Sequence, residues 1–75
     1  SLVYYKKAAE NGNRTGMYFY GFRLFVSEYG PVNIFEGHKY LKMAADKGEA
    51  RAMYLYGKFA RNNPQLKVGQ DEAYR

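Results

Sequence analysis

Tyr4-Tyr5-Lys6-Lys7-Ala8-Ala9-Glu10-Asn11-Gly12 returns as Tyr40-Leu41-Lys42-Met43-Ala44-Ala45-Asp46-Lys47-Gly48, a shift of 36 residues. The same shift lays Met17-Tyr18-Phe19-Tyr20-Gly21 on Met53-Tyr54-Leu55-Tyr56-Gly57. Eleven of the 39 overlapping pairs are identical, against roughly three expected from this biased composition. Val32/Val68 and Glu36/Glu72 keep the same register. Self-similarity at one period of this length is the signature of a repeat architecture, in which each unit is a supersecondary element.

The unit reads as two helices. Residues 2–11 form one, and Gly12 stands where a left-handed C-terminal cap is needed. Asn13 then caps a second helix over residues 14–28. Gly30-Pro31 interrupts the chain, since proline cannot continue a helix interior. Asn33 caps the next helix, which runs to about Lys47 and is closed by Gly48. A fourth helix spans residues 49–61, Asn62-Asn63-Pro64 is a turn, and a further helix begins near Val68. Links of a few residues make consecutive helices antiparallel neighbours. Ala8-Ala9 and Gly21 fall where helices must approach closely, because each extra methylene there would force them apart.

The spacing aromatic-x-x-Lys-Ala-Ala-x-x-Gly, followed by a small residue and then an apolar residue before Gly, resembles the Sel-1-like repeat. Its parts here are Tyr4, Lys7, Ala8, Ala9, Gly12, Gly16, Tyr20 and Gly21. They recur as Tyr40, Ala44, Ala45, Gly48, Ala52, Tyr56 and Gly57, and Ala73 restarts a third copy. The chain departs from the family pattern at Met43, where Lys is usual, and at Tyr4 and Tyr40, where Trp is common. It departs again at Gly37 in place of Ala, at Leu24 and Ala60 in a frequently Tyr position, and at Ser27 and Tyr29 in a usually Gly-rich link.

The resemblance implies an all-α fold, a right-handed α/α solenoid of antiparallel, tetratricopeptide-like helix pairs. On that reading residues 1–12 are the second helix of a preceding repeat, residues 13–48 one full repeat, and residues 49–75 a following, truncated one. A repeat buries its apolar face only by stacking on a neighbour, so both ends are expected to be uncapped and the parent array to continue on both sides.

The chain has 75 residues, enough for at most one small domain. Nearly half of them are apolar, with nine Tyr and five Phe, an ordered composition unlike that of a disordered tail. The longest apolar stretch, residues 17–26, is broken by Gly21 and Arg23 and is too short to span a bilayer. Without Cys there is no disulfide, zinc knuckle or thiol nucleophile. That composition is compatible with a cytosolic setting, although Sel-1-like proteins occur in several compartments. The formal charge of +5 tilts towards acidic partners.

Catalysis finds no foothold in this sequence. His38 is the single His, with no second ligand type clustered about it, and is expected to be exposed. The carboxylates Glu10, Glu28, Glu36, Asp46, Glu49, Asp71 and Glu72 are expected at helix ends or on exposed faces, unsuited to acid–base work. Ser1, Thr15 and Ser27 have no adjacent base, and no Gly-rich phosphate loop occurs. The expectation is a non-enzymatic chain with no cofactor and no metal.

In tetratricopeptide-like arrays the first helix of each pair lines the concave groove. The resemblance therefore points Thr15, Tyr18, Phe22 and Phe25 at a partner, followed by Arg51, Tyr54, Lys58 and Arg61 in the next repeat. Aromatics beside Arg and Lys can anchor an extended or helical peptide. A helix apolar on every side is usually buried, however, so packing on adjacent helices is the favoured reading of Phe22 and Phe25. Tyr18 and Tyr54, polar-tipped aromatics in both copies, are the better candidates.

Three functions compete on this reading. The first is an adaptor or scaffold that binds a peptide or protein helix in the groove. The second is a structural spacer that meets its partners through outer faces such as Lys6, Lys39 and Lys42. The third is nucleic-acid binding, which the spread of basic residues over several faces disfavours.

Overall fold

The computed structural model describes residues 1–28 and 30–67. Within them the protein is all-helical, with no strand. The helices are α1 (Leu2–Glu10), α2 (Arg14–Phe25), α3 (Ile34–Asp46) and α4 (Ala50–Asn62), followed by a helical turn at residues 65–67.

Local chemistry sets most of these boundaries. Gly12 takes φ +85° after α1, and Gly48 takes φ +90° after α3. Each closes a six-to-one cap. Asn13 N–H donates to the Ala8 carbonyl and Gly12 N–H to that of Ala9, and Glu49 and Gly48 repeat the pattern on Ala44 and Ala45. The next helix then opens on a side-chain cap. Asn13 Oδ1 accepts from Gly16 N–H at 2.8 Å, and Asn33 Oδ1 accepts from Glu36 N–H at 3.1 Å. Glu49 caps α4 by accepting from Arg51 N–H.

One boundary differs from the sequence reading. Helix α2 ends at Phe25, three residues short of Glu28, because Val26 turns extended at φ −124°, ψ 106°. The apolar pattern runs through Val26, but the backbone leaves the helix there, ahead of Gly30-Pro31. The Leu24 carbonyl instead accepts from Val32 and Asn33 N–H at 2.9 and 3.1 Å, so the start of α3 folds back onto the end of α2. At the far end, Asn63 Nδ2 donates to the Phe59 carbonyl and closes α4. The helix expected near Val68, and Asp71, Glu72 and Ala73 with it, lie outside the described residues.

Small residues decide how closely the helices approach. A Cβ built on Gly16 would lie 2.5 Å from Ala8 Cβ, which draws α1 and α2 together. At the α2–α3 crossing, a Cβ on Gly21 would meet the Gly37 carbonyl oxygen and Leu41 Cγ, both at 2.9 Å. The reciprocal Cβ on Gly37 would strike the Phe25 ring at 2.8 Å. Glycine at position 37 thus answers to the bulk of Phe25 and to the Gly21 carbonyl oxygen, 2.9 Å from the same Cβ.

Pairings fix the helix directions. Tyr5 stacks on Phe19, Tyr20 meets Tyr40 edge-on, and His38 stacks on Tyr56, so successive helices are antiparallel. Arg51 lies over Tyr18 and Phe59 stacks on Phe25, at nearly one offset in sequence, so α4 runs parallel to α2. The core gathers Met17, Tyr20, Leu24, Phe25, Tyr40, Leu41, Ala44, Ala52 and Leu55, with Leu66 closing it from beyond α4. Leu41 is fully buried at the α2–α3 interface, the most extensive among the described helices. Its burial alone contributes about 1.5–3 kcal/mol.

Candidate partner-binding face

The parallel pair α2 and α4 brings Tyr18, Phe22, Arg51, Tyr54 and Lys58 onto partly or fully exposed positions. Tyr18 and Phe22, one helical turn apart, hold their ring centroids at 6.1 Å. The Arg51 guanidinium crosses from α4 to lie 4.5 Å from the Tyr18 centroid and 5.4 Å from that of Phe19. Beneath it, Glu49 accepts from Arg51 Nε at 2.9 Å and from Nη2 at 3.2 Å, a two-pronged ion pair. That bond holds the Glu49 carboxyl below its ordinary range. Arg51, with its side chain half exposed, thus lies between a carboxylate and two rings. Farther along α4, Lys58 Nζ sits 5.8 Å from the Tyr54 ring, and Tyr54 itself is 65% exposed.

Not all the expected residues share this face. Phe25 is buried and stacks on Phe59 at 4.3 Å, so it is a core residue. Thr15 is exposed but lines a shallow cleft between α1 and α2 with Tyr4, Tyr5 and Phe19. Arg61 lies at the rim of another cleft, with His38, Tyr56, Ala60 and Leu66. A cleft of about 650 Å³ opens elsewhere, between Leu2, Tyr5, Arg23 and Val32.

His38 corrects an expectation. It is 7% exposed, stacked on Tyr56 at 4.3 Å, and its Nδ1 has no hydrogen-bond partner among the described residues. Burial, and then the nearby Lys42 charge, push its pKa below the usual imidazole value. Its place in the first half of α3 suggests exposure, but the α3 face it occupies is the one α4 covers. Phe19 escapes the sequence reading for a related reason. Nothing in its spacing singles it out, and only the arrival of Arg51 from the next hairpin gives it a role. The Glu49-Ala50-Arg51 spacing at a helix start is a visible signal for the ion pair.

The arrangement offers a polar-tipped aromatic surface with cations at its margin. Among the described residues, no group of three or more His, Asp or Glu side chains could hold a metal ion. No helix among them is long and apolar enough to cross a membrane. No protein-family model, curated protein or solved structure matches the chain.

Proposed function

We propose that the chain is a segment of a right-handed α/α solenoid of Sel-1-like repeats. Its function is non-enzymatic protein–protein interaction, as an adaptor that receives a peptide or protein helix along α2 and α4. The observation that carries this reading is Arg51, laid over Tyr18 and paired with Glu49. The ion pair and the ring beneath it already bias Arg51 towards this position, which lowers the ordering cost a partner meets there. Tyr54 adds an exposed aromatic to the same face, with the Lys58 charge beside it.

A peptide-display selection against the folded chain, followed by titration of the enriched peptides, tests the reading. The variant Tyr18→Ala/Tyr54→Ala/Lys58→Ala replaces none of the buried core residues, its folding is verified by far-UV circular dichroism, and it is expected to weaken those peptides at least about tenfold, the equivalent of about 1.4 kcal/mol. If the triple variant binds the same peptides equally well, the groove assignment is wrong. Contacts through the outer faces around Lys6, Lys39 and Lys42 then take its place. Tight binding of a random-sequence single-stranded oligonucleotide, with steep loss in salt, would instead support a nucleic-acid binder.

A further inference from the structure

The Arg51–Glu49 pair is asymmetric towards solvent. The Glu49 side chain is 12% exposed and that of Arg51 52%, so an approaching molecule meets the guanidinium, with its carboxylate shielded behind it. Glu49 engages one edge of the guanidinium only, through Nε and Nη2. One face of the group lies over the Tyr18 ring, 4.5 Å from its centroid, so the contact bridges α4 and α2. Nη1, at the free end, has no hydrogen-bond partner among the described residues. A guanidinium is a planar fork of N–H donors. With the Nε side taken, the remaining N–H of Nη2 and its parallel neighbour on Nη1 form a second, end-on fork. Arg14 belongs to the same cluster: after the Arg51 hydrogen bond, its charge also helps to hold the Glu49 carboxyl below the ordinary range. Arg14 spends its own Nη1 on the Lys47 carbonyl, at 3.1 Å. Arg14, Arg51 and Glu49 together keep one net positive charge.

We propose that the free end of Arg51 is the specificity element of the α2–α4 groove, and that it receives the carboxylate of an Asp or Glu side chain from an acidic peptide. The inference rests on the adaptor reading and adds to it what the partner must carry. Parallel N–H groups on Nη1 and Nη2 match the two oxygens of a carboxylate, which a single ammonium cannot do. Glu49 and Tyr18 hold the plane of the guanidinium from the side and from below, so the end-on fork is presented before the partner arrives. The local charge suits a monoanion. A phosphate group carries about −1.5 to −2, and the single net positive charge of this cluster would leave about half of it unanswered. Glu49 lowers the positive potential here, so the preference comes from the fork, while the formal charge of +5 on the whole chain favours the approach of acidic partners.

The probes are the peptides that a display selection enriches on the folded chain. Each is remade with its Asp and Glu replaced by Asn and Gln, and both forms are titrated by fluorescence anisotropy against the wild type and Arg51→Lys. Lysine keeps the charge and loses the fork. Far-UV circular dichroism verifies folding, and Arg51→Gln replaces a variant that misfolds. The enriched peptides are expected to carry Asp or Glu above the library frequency, and the exchange to weaken binding to the wild type at least about tenfold. Arg51→Lys is expected to weaken the acidic form at least about fivefold and to leave the exchanged form unchanged. An enriched set without excess acids, an exchange without effect, or an equal effect of Arg51→Lys on both forms overturns the inference. The adaptor reading survives that result wherever Tyr18→Ala/Tyr54→Ala/Lys58→Ala still weakens the same peptides. A selection that enriches nothing, or peptides indifferent to the triple variant, overturns both. Displacement of the acidic peptide by a random-sequence single-stranded oligonucleotide whose own binding falls in Arg51→Lys overturns the inference in favour of a phosphate-bearing partner.

Discussion

The same substitution at two register-equivalent glycines is expected to change stability in opposite directions. Alanine at Gly21 places a Cβ 2.9 Å from the Gly37 carbonyl oxygen and from Leu41 Cγ, with Leu41 N at 3.1 Å. Two of those atoms are backbone, and Leu41 is fully buried, so relief requires α2 and α3 to separate along their main interface. Overpacking of this kind costs about 1–3 kcal/mol. Replacing a mid-helix glycine returns about 0.8–1 kcal/mol of helix propensity. The net for Gly21→Ala is a loss of up to about 2 kcal/mol, which lowers Tm by up to about 16 °C in a domain of this size. At Gly57 the added methyl meets only Arg61 Nη1 at 3.5 Å, a side-chain tip that can move. Gly57→Ala therefore keeps the propensity gain and is expected to raise Tm by about 3–8 °C. Thermal and urea unfolding followed by far-UV circular dichroism measures both. Equal shifts for the two variants, or a stabilised Gly21→Ala, would refute the close-approach argument.

Two further outcomes follow from the caps and from His38. Asn13→Ala and Asn33→Ala each remove a side-chain oxygen that accepts from the first turn of a helix. Each is expected to cost about 1 kcal/mol in urea unfolding; a double variant as stable as the wild type would contradict the capping assignment. For His38 the folded pKa lies below the unfolded value of 6.5, so the unfolded chain takes up the proton first. The stability contributed by the neutral ring is complete above pH 6.5 and is lost as pH falls from there through the folded value. Lys42 on α3 is a cation near the ring, and Arg61 and Lys67 line the adjoining cleft with it, so charge as well as burial disfavours the imidazolium. Unfolding measured from pH 7.5 down to about 5.5, above the range in which ordinary carboxylates titrate, is expected to show a downward slope that His38→Leu flattens. An equal slope in both proteins would show that the ring is solvated.

Sequence alone determined the features that depend on neighbours along the chain. Asn13, Gly12, Asn33 and Gly48 act within a turn of their own helices, so caps and boundaries were legible from residue type and spacing. The repeat register was also legible, and with it the matching cap bonds that the Ala8-Ala9 and Ala44-Ala45 carbonyls accept, although Ala9 is the buried member of the first pair and Ala44 of the second. Gly21 was legible as a close-approach site because a glycine set among bulky apolar residues of a helix leaves a gap that a neighbouring backbone can fill. What tertiary structure decided was which of two equivalent side chains is covered. Phe25 and Tyr18 lie on the same helix and are both aromatic, yet one stacks on Phe59 inside the core while the other carries Arg51 at the surface. His38 reads as exposed in the sequence because one isolated imidazole on a polar-looking helix carries no mark of the face that α4 covers. Met17 and Met53 are the same residue in the same local pattern, yet one is core and the other half exposed. Burial depends on what arrives from a distant part of the chain, and a local pattern specifies the face that can be buried without specifying whether a neighbour is there to bury it.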